Sequence, residues 1–154
     1  MKRTLLAALI FLTTALTSCD KLPENGRLDG MWQLMSIQYH NTAEGDSLVS
    51  TQDRRIYWSV QLGLISIRST TDYFHTNGIE AEVLSRFTRT TDSLHLTEIY
   101  TNHRTTDSLL TDPSTTLLRP TGIDGNKASF AIEHLTPSTL HLQSPYARLN
   151  FRKF

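Results

Sequence analysis

Short runs of alternating apolar and polar residues, bounded by turn residues, fill most of the chain. In a strand such alternation sets every second side chain on one face. No long segment carries the i, i+3, i+4, i+7 apolar repeat of an amphipathic helix. Eight strands are predicted. The first is Met31 to Tyr39, opened by Asp29-Gly30. The second is Arg55 to Leu62, with Ile56, Trp58, Val60 and Leu62 on one face, and Gly63 permits a tight reversal into Leu64 to Ser69. Glu82 to Arg89 and Ser93 to Ile99 flank Thr90-Thr91-Asp92 as a hairpin. Ala128 to Glu133, Thr139 to Gln143 and Ala147 to Phe154 form a meander through the short links Thr136-Pro137-Ser138 and Ser144-Pro145-Tyr146. In these last three, Phe130 and Ile132, Leu140 and Leu142, and Leu149 and Phe151 alternate with polar neighbours.

The polar stretch from Tyr100 to Asn126 is the one long connection. Asp112-Pro113-Ser114 is a helix-start signal within it, Leu117-Leu118 are anchors, and Asp124-Gly125 ends it with a turn. The expected fold is all-β: an eight-stranded antiparallel up-and-down barrel with one long loop between the fifth and sixth strands. Closure removes exposed edges. The interior of such a barrel is either filled by side chains or holds one small ligand.

The amino-terminal pattern differs from the rest. Met1-Lys2-Arg3 precedes an apolar run from Leu5 to Leu16 and then Thr17-Ser18-Cys19. A basic start, a short apolar core and a small-residue exit are the parts of a secretory signal. The run falls well short of the roughly 20 residues a spanning helix needs. Leu16-Thr17-Ser18-Cys19 resembles the lipobox of bacterial lipoproteins, which implies lipidation of Cys19 after loss of residues 1–18. Cys19 is the single cysteine in the sequence, so the mature chain would form no disulfide and rest on packing. Residues 19–27, with Asp20 to Arg27 polar and containing proline and glycine, are expected to form a lipidated tether, and 28–154 the barrel. In its signal and tether the chain resembles lipoproteins of Bacteroidetes, in which acidic residues such as Asp20 and Glu24 suit surface-export signals. The expected location is the cell envelope, lipid-anchored on the outer membrane, with the facing side left open.

Acidic and basic residues balance at 15 each. Loss of Lys2 and Arg3 would leave the mature chain slightly acidic, with no basic stripe for nucleic acid.

Gly30-Met31-Trp32, opening the first strand, matches the G-x-W motif of lipocalins. The ending F-x-I-E-x-L-T-x-x-x-L-x-L from Phe130 to Leu142, followed by Leu149-Asn150-Phe151-Arg152-Lys153-Phe154, resembles small lipocalin-like lipoproteins of Bacteroidetes. The resemblance implies that the tryptophan closes one end of the barrel under an arginine from near the chain's end. Arg152, or else Arg148, is the expected partner of Trp32, because the first and last strands would lie antiparallel. It also implies a cavity for a small apolar or amphipathic ligand, lined by Ile56, Trp58, Val60, Phe130, Ile132, Leu140, Leu142, Leu149 and Phe151. The other function considered is an accessory or scaffolding lipoprotein that binds an envelope protein or glycan on its outer surface, near Tyr73-Phe74 or Tyr100.

Catalytic and metal chemistry find little support. There is no G-x-S-x-G, H-x-H, H-E-x-x-H or glycine-rich phosphate loop, so no enzyme activity, metal or cofactor is expected. By odd spacing, His95 and Glu98 should fall on opposite faces, while Glu80 and Glu82 should share one. His134 and His141 flank a turn. The tripeptide Asp-Ser-Leu occurs at Asp46, Asp92 and Asp107 and resembles the envelope O-glycosylation acceptor of Bacteroidetes, making Ser47, Ser93 and Ser108 candidate acceptors.

Overall fold

A computed structural model describes residues 24–42, 45–103 and 106–154. The signal segment, Cys19 and the start of the tether lie outside the described residues. Among the described residues, ten antiparallel strands form a single sheet. They are β1 (Gly30–Thr42), β2 (Gly45–Ser50), β3 (Ile56–Gln61), β4 (Leu64–Ser69), β5 (Glu82–Arg89), β6 (Ser93–His103), β7 (Thr106–Leu109), β8 (Ala128–Leu135), β9 (Thr139–Gln143) and β10 (Ala147–Lys153). Without β2 and β7, the order β1-β3-β4-β5-β6-β8-β9-β10 closes where β10 pairs with β1, Trp32 opposite Lys153 and Ile37 opposite Leu149. The barrel and its eight wall strands are those expected from the alternation.

β2 and β7 are additions to the expected fold. The first half of β1 pairs with β3 from Gly30 to Gln33, and its second half pairs with β2 from Ser36 to Tyr39. β6 behaves alike: Ser93 to Leu96 pair with β8, and its far half pairs with β7. The two short strands thus carry the wall beyond the rim. Part of the stretch expected to be loop is therefore sheet. The Asp112-Pro113-Ser114 signal does not start a helix: the Asp112 carboxylate accepts from the Ser114 amide and hydroxyl in a local turn. The chain then turns inward, and a single 3-10 turn forms at Arg119–Thr121. A one-turn helix α1 (Tyr73–Thr76) precedes β5; four residues are too few to carry a helical period.

Bulges at three places in the barrel wall reset the alternation, at Leu34/Ser36 in β1, at Arg86/Phe87 between β5 and β6, and at Ile132/His134 in β8, and a fourth lies at Tyr39/Thr42 where β1 pairs with β2. Each extra residue shifts the following side chains to the opposite face. In β1 the inward set changes from Trp32 and Leu34 to Ile37. Thr51 secures that bulge, its hydroxyl donating to the Leu34 carbonyl at 2.7 Å and its amide to Met35 at 3.0 Å.

The barrel is filled. Trp32, Leu34, Ile37, Ile56, Ile65, Ile67, Val83, Ile99, Leu142 and Leu149 have 0% exposure. A chamber large enough for water would itself leave its wall atoms exposed. Trp58 stands near the centre, edge-on to Phe151 at 5.1 Å and to Phe130 at 6.0 Å between ring centroids, a favoured aromatic arrangement.

Both ends are shut. At one, the Gly26–Leu28 turn tucks Leu28 under the barrel, and Trp32 Nε1 donates to the Leu28 carbonyl at 2.7 Å. At the other, Phe74 and Ile79 from the α1 segment and Leu118 and Ile123 from the long connection are buried in the core, and Thr121 is buried as well. Burying each such apolar side chain contributes about 1.5–3 kcal/mol. Gly122, at φ +84°, lies so close to β10 that a Cβ there would stand 2.2 Å from Leu149 Cδ2. The long connection is therefore a plug.

Candidate functional site

The nine residues expected to line a cavity pack against one another as core, with Ile132 the half-buried member. Leu62, assigned by alternation to the same inward face, instead sits at the β3–β4 turn and is 58% exposed. One buried side-chain donor in this interior has no partner, the Trp58 indole N–H.

The cation over Trp32 is Lys153, its Nζ 4.1 Å from the ring centroid, and not Arg152. Trp32 pairs directly with Lys153, so these two share the inward face, while Arg152 pairs with Gln33 and points outward. There Arg152 donates to Gln33 Oε1 at 3.1 Å. Arg148 binds Glu133 on the outer wall at 3.0 Å. The expected exposed aromatic patch is also absent: Phe74 belongs to the plug, Tyr73 is half-buried beneath Arg54, whose guanidinium is 4.5 Å from its ring, and Tyr100 donates to Glu98 at 3.2 Å.

With the interior occupied, concave space lies on the outer wall. β8 begins three residues before its pairing with β9 does, since Ala131 is the first partner of Gln143. Beside that uncovered edge runs a cleft of about 680 Å³ lined by Asp92, Ser93, His95, Ser129, Gln143 and Pro145 among others. A second hollow of about 260 Å³, reaching Asp124, Lys127 and Tyr146, shares Ser129, Phe130, Ser144 and Pro145 with it. The combined trough has hydroxyl, amide, imidazole and carboxylate groups along an apolar floor of Ala131 and Pro145.

Its polar groups are held in place. His95 Nδ1 is 3.0 Å from Ser129 Oγ, and its Nε2 is 3.0 Å from Ser93 Oγ. Gln143 Nε2 donates to His40 Nε2 at 2.8 Å, which leaves His40 Nδ1 to bond Asp46 at 3.0 Å. At the far end Arg119 binds Asp124 at 2.7 Å and lies 5.9 Å from the Tyr146 ring. Tyr146 packs edge-on to Tyr39 at 5.5 Å. Burial pushes the Tyr39 phenol up to about 12, with Tyr146 and Tyr73 adding to the shift and Arg54 opposing it. Burial also raises the Tyr146 phenol, so Tyr39 and Tyr146 stay neutral near neutrality. Ser93 and His95 have the spacing of a nucleophile and base, but the second imidazole nitrogen meets another hydroxyl. With no carboxylate there to fix its tautomer, the imidazole is arranged for hydrogen bonding.

The family model for the lipocalin-like domain matches residues 14–154. The chain belongs to the lipocalin-like domain family. Among solved structures, this lipocalin-like chain is similar to a lipocalin-like protein from Bacteroides uniformis, at 23% identity and TM-score 0.53, covering 84% of this chain and all of that one. It is also similar to an uncharacterized protein from Bacteroides eggerthii, at 16% identity and TM-score 0.50, covering 82% and 98%. At these identities the likeness concerns the fold. No curated protein matches the chain.

The remaining expectations sort by the bulges. Thr97 is the extra residue in β6 of the lipocalin-like barrel, because Leu96 pairs with Phe87 and Glu98 with Arg86. It turns Glu98 onto the outer face with His95, against the odd-spacing expectation. His134 and His141 lie opposite each other on the outer wall, ring centroids 5.1 Å apart. Among the described residues no group of three His, Cys, Asp or Glu is placed to hold a metal. Glu82 accepts from Ser66 at 2.8 Å on β5, whereas Glu80 precedes that strand, so the two do not share a strand face. Of the Asp-Ser-Leu serines, Ser47 is half-buried in β2, Ser93 is bonded to His95, and Ser108 is exposed in β7.

Ser129, Gln143 and Asp92 were not legible as site residues. Each is an ordinary polar residue of a strand or turn, and only the stagger between β8 and β9 brings them together.

Proposed function

We propose that this lipocalin-like protein is a non-catalytic, lipid-anchored envelope lipoprotein that binds a glycan on its outer wall, in the trough along β8. The observation that carries this reading is the filled, doubly plugged barrel, which leaves concave space on the outer wall, where the cleft along β8, at about 680 Å³, exceeds the hollow of about 420 Å³ beside Thr97, Leu109 and Lys127. Its size falls in the range used by ligand sites. Its chemistry suits a sugar: fixed hydroxyl, amide and imidazole groups for the ring's oxygens, and an apolar floor for its C–H face. Anchoring rests on the lipobox-like Leu16-Thr17-Ser18-Cys19; among the described residues no helix is long and apolar enough to cross a membrane.

The test is an amide-shift titration of the purified mature chain with soluble fragments of bacterial envelope polysaccharide. Shifts clustering at Ser93, His95, Ser129 and Gln143, with at least about tenfold weaker binding in His95→Ala, are the expected result; that loss is the one worth about 1.4 kcal/mol. Shifts elsewhere, or none, would overturn it.

A second reading has one specific observation in its favour. The unpartnered Trp58 N–H points to an acceptor inside the barrel, such as the polar end of a small amphipathic ligand admitted when the plug lifts. Native mass spectrometry of gently purified protein separates the two readings, because an interior ligand would be retained as added mass.

A further inference from the structure

We propose that the β3–β4 hairpin tip, Leu62 and Leu64, dips into the membrane surface that carries the protein's own anchor; this rests on the lipidation of Cys19. The end of the tether is not free. Asn25 Nδ2 donates to the Leu62 carbonyl at 2.6 Å, and the Asn25 carbonyl accepts from Arg89 Nη1. Asn25 also donates through its backbone to Asp29 at 3.0 Å, and Lys153 Nζ reaches the Arg27 carbonyl at 3.3 Å. The residues expected to be a loose leash up to Arg27 are thus docked onto the barrel from Asn25 onward. Only Cys19 to Glu24 separate the acylated sulfur from this dock, and six extended residues reach about 20 Å. The bilayer must therefore lie near the β3–β4 end of the barrel.

That end presents what a bilayer would receive. Leu62 is 58% and Leu64 48% exposed at this turn. Leu62 holds φ +54° although Gly63 stands next to it, so an outward leucine occupies a position better suited to glycine. Arg27 is exposed nearby, and Arg86, opposite Leu64, is bonded to Glu98 at 3.1 Å. With Arg86 engaged, attraction for anionic headgroups is secondary and the two leucines carry the contact. Leu48, at 70% the most exposed leucine among the described residues, lies on β2 beyond the opposite rim and serves as the control.

The experiment uses the full lipidated chain in vesicles of phosphatidylethanolamine and phosphatidylglycerol. Leu62→Cys and Leu48→Cys are each labelled with an environment-sensitive fluorophore, since acylation blocks the Cys19 sulfur. Intact mass first reports whether the diacylglyceryl group is present. The expected result is a blue-shifted label at position 62, quenched about twofold or more by lipids carrying a shallow nitroxide, with position 48 unaffected, as fits insertion of about 5–10 Å. A lipid-bearing chain whose position 62 label behaves as in water overturns this inference and leaves the anchor standing. A blue shift without lipid quenching means that a second copy covers the tip, and also overturns it. A mass without lipid overturns the anchor and the inference together.

Discussion

Lys153 Nζ lies 4.1 Å above the Trp32 ring while also donating to the carbonyls of Arg27 and Asp29, so one ammonium ties the first strand, the last strand and the tether together. Burial lowers its pKa, with Asp29 partly opposing. Lys153→Met should remove a cation–π contact of about 0.5–2 kcal/mol and leave carbonyls unpaired, lowering stability by about 1–3 kcal/mol. Arg152→Ala, which loses an outer-wall bond to Gln33, should lower it by less than about 1 kcal/mol. Urea unfolding followed by tryptophan fluorescence distinguishes the two; equal losses would contradict the assignment of Lys153 as the closing cation.

That pair shows what the sequence carries and where it stops. Alternation is a property of neighbours along one strand, so Leu64–Ser69, Glu82–Arg89 and Thr139–Gln143 were readable residue for residue. The Trp32 partner depends on register between strands distant in sequence, and a one-residue slip exchanges Arg152 for Lys153. The bulge at Thr97, which puts Glu98 beside His95, adds a residue without a turn signal. β2 and β7 were unreadable because their exposed residues have no apolar face. The trough exists through strand stagger alone.

The plug is seated through Gly122. An alanine there would hold a left-handed φ at about 1–2 kcal/mol and press on Leu149, adding overpacking strain of about 1–3 kcal/mol. Gly122→Ala should therefore destabilise by about 2–5 kcal/mol in all. If the long connection is lifted rather than the whole fold lost, hydrogen exchange should rise first from Leu118 to Ile123. Unchanged exchange there would contradict the plug.

Leu62 at φ +54° stores strain of about 1–2 kcal/mol. Glycine would relieve it but add about 0.5–1 kcal/mol of unfolded-state freedom, so Leu62→Gly should be stabilising by up to about 1.5 kcal/mol. A thermal melt that rises slightly is the expected outcome, and a fall would mean that the turn carries no strain.

Among the Asp-Ser-Leu sites, Ser108 is the exposed one, so glycosylation of the native protein should begin there. Intact mass of protein from its own host should exceed the lipidated polypeptide mass, and Ser108→Ala should remove the excess. A mass equal to polypeptide plus lipid would rule the modification out at all three serines.

Acid should loosen the outer wall at the His134–His141 pair. The His141 pKa is held below the ordinary imidazole value of 6.5 by burial first, then by Arg148 and His134, against a smaller opposing effect of Glu133. The folded protein thus takes up this proton less readily than the unfolded chain. The sign follows: stability from this residue is full above pH 6.5 and falls as pH drops through that value toward the lower folded one. His141→Gln keeps the size and polarity but cannot titrate, so its unfolding midpoint should change less than that of the parent between pH 7 and about pH 5. Because the imidazole is partly solvated, the difference should be small, and differential denaturation at several pH values is needed to see it. A variant as acid-sensitive as the parent would place the proton uptake elsewhere.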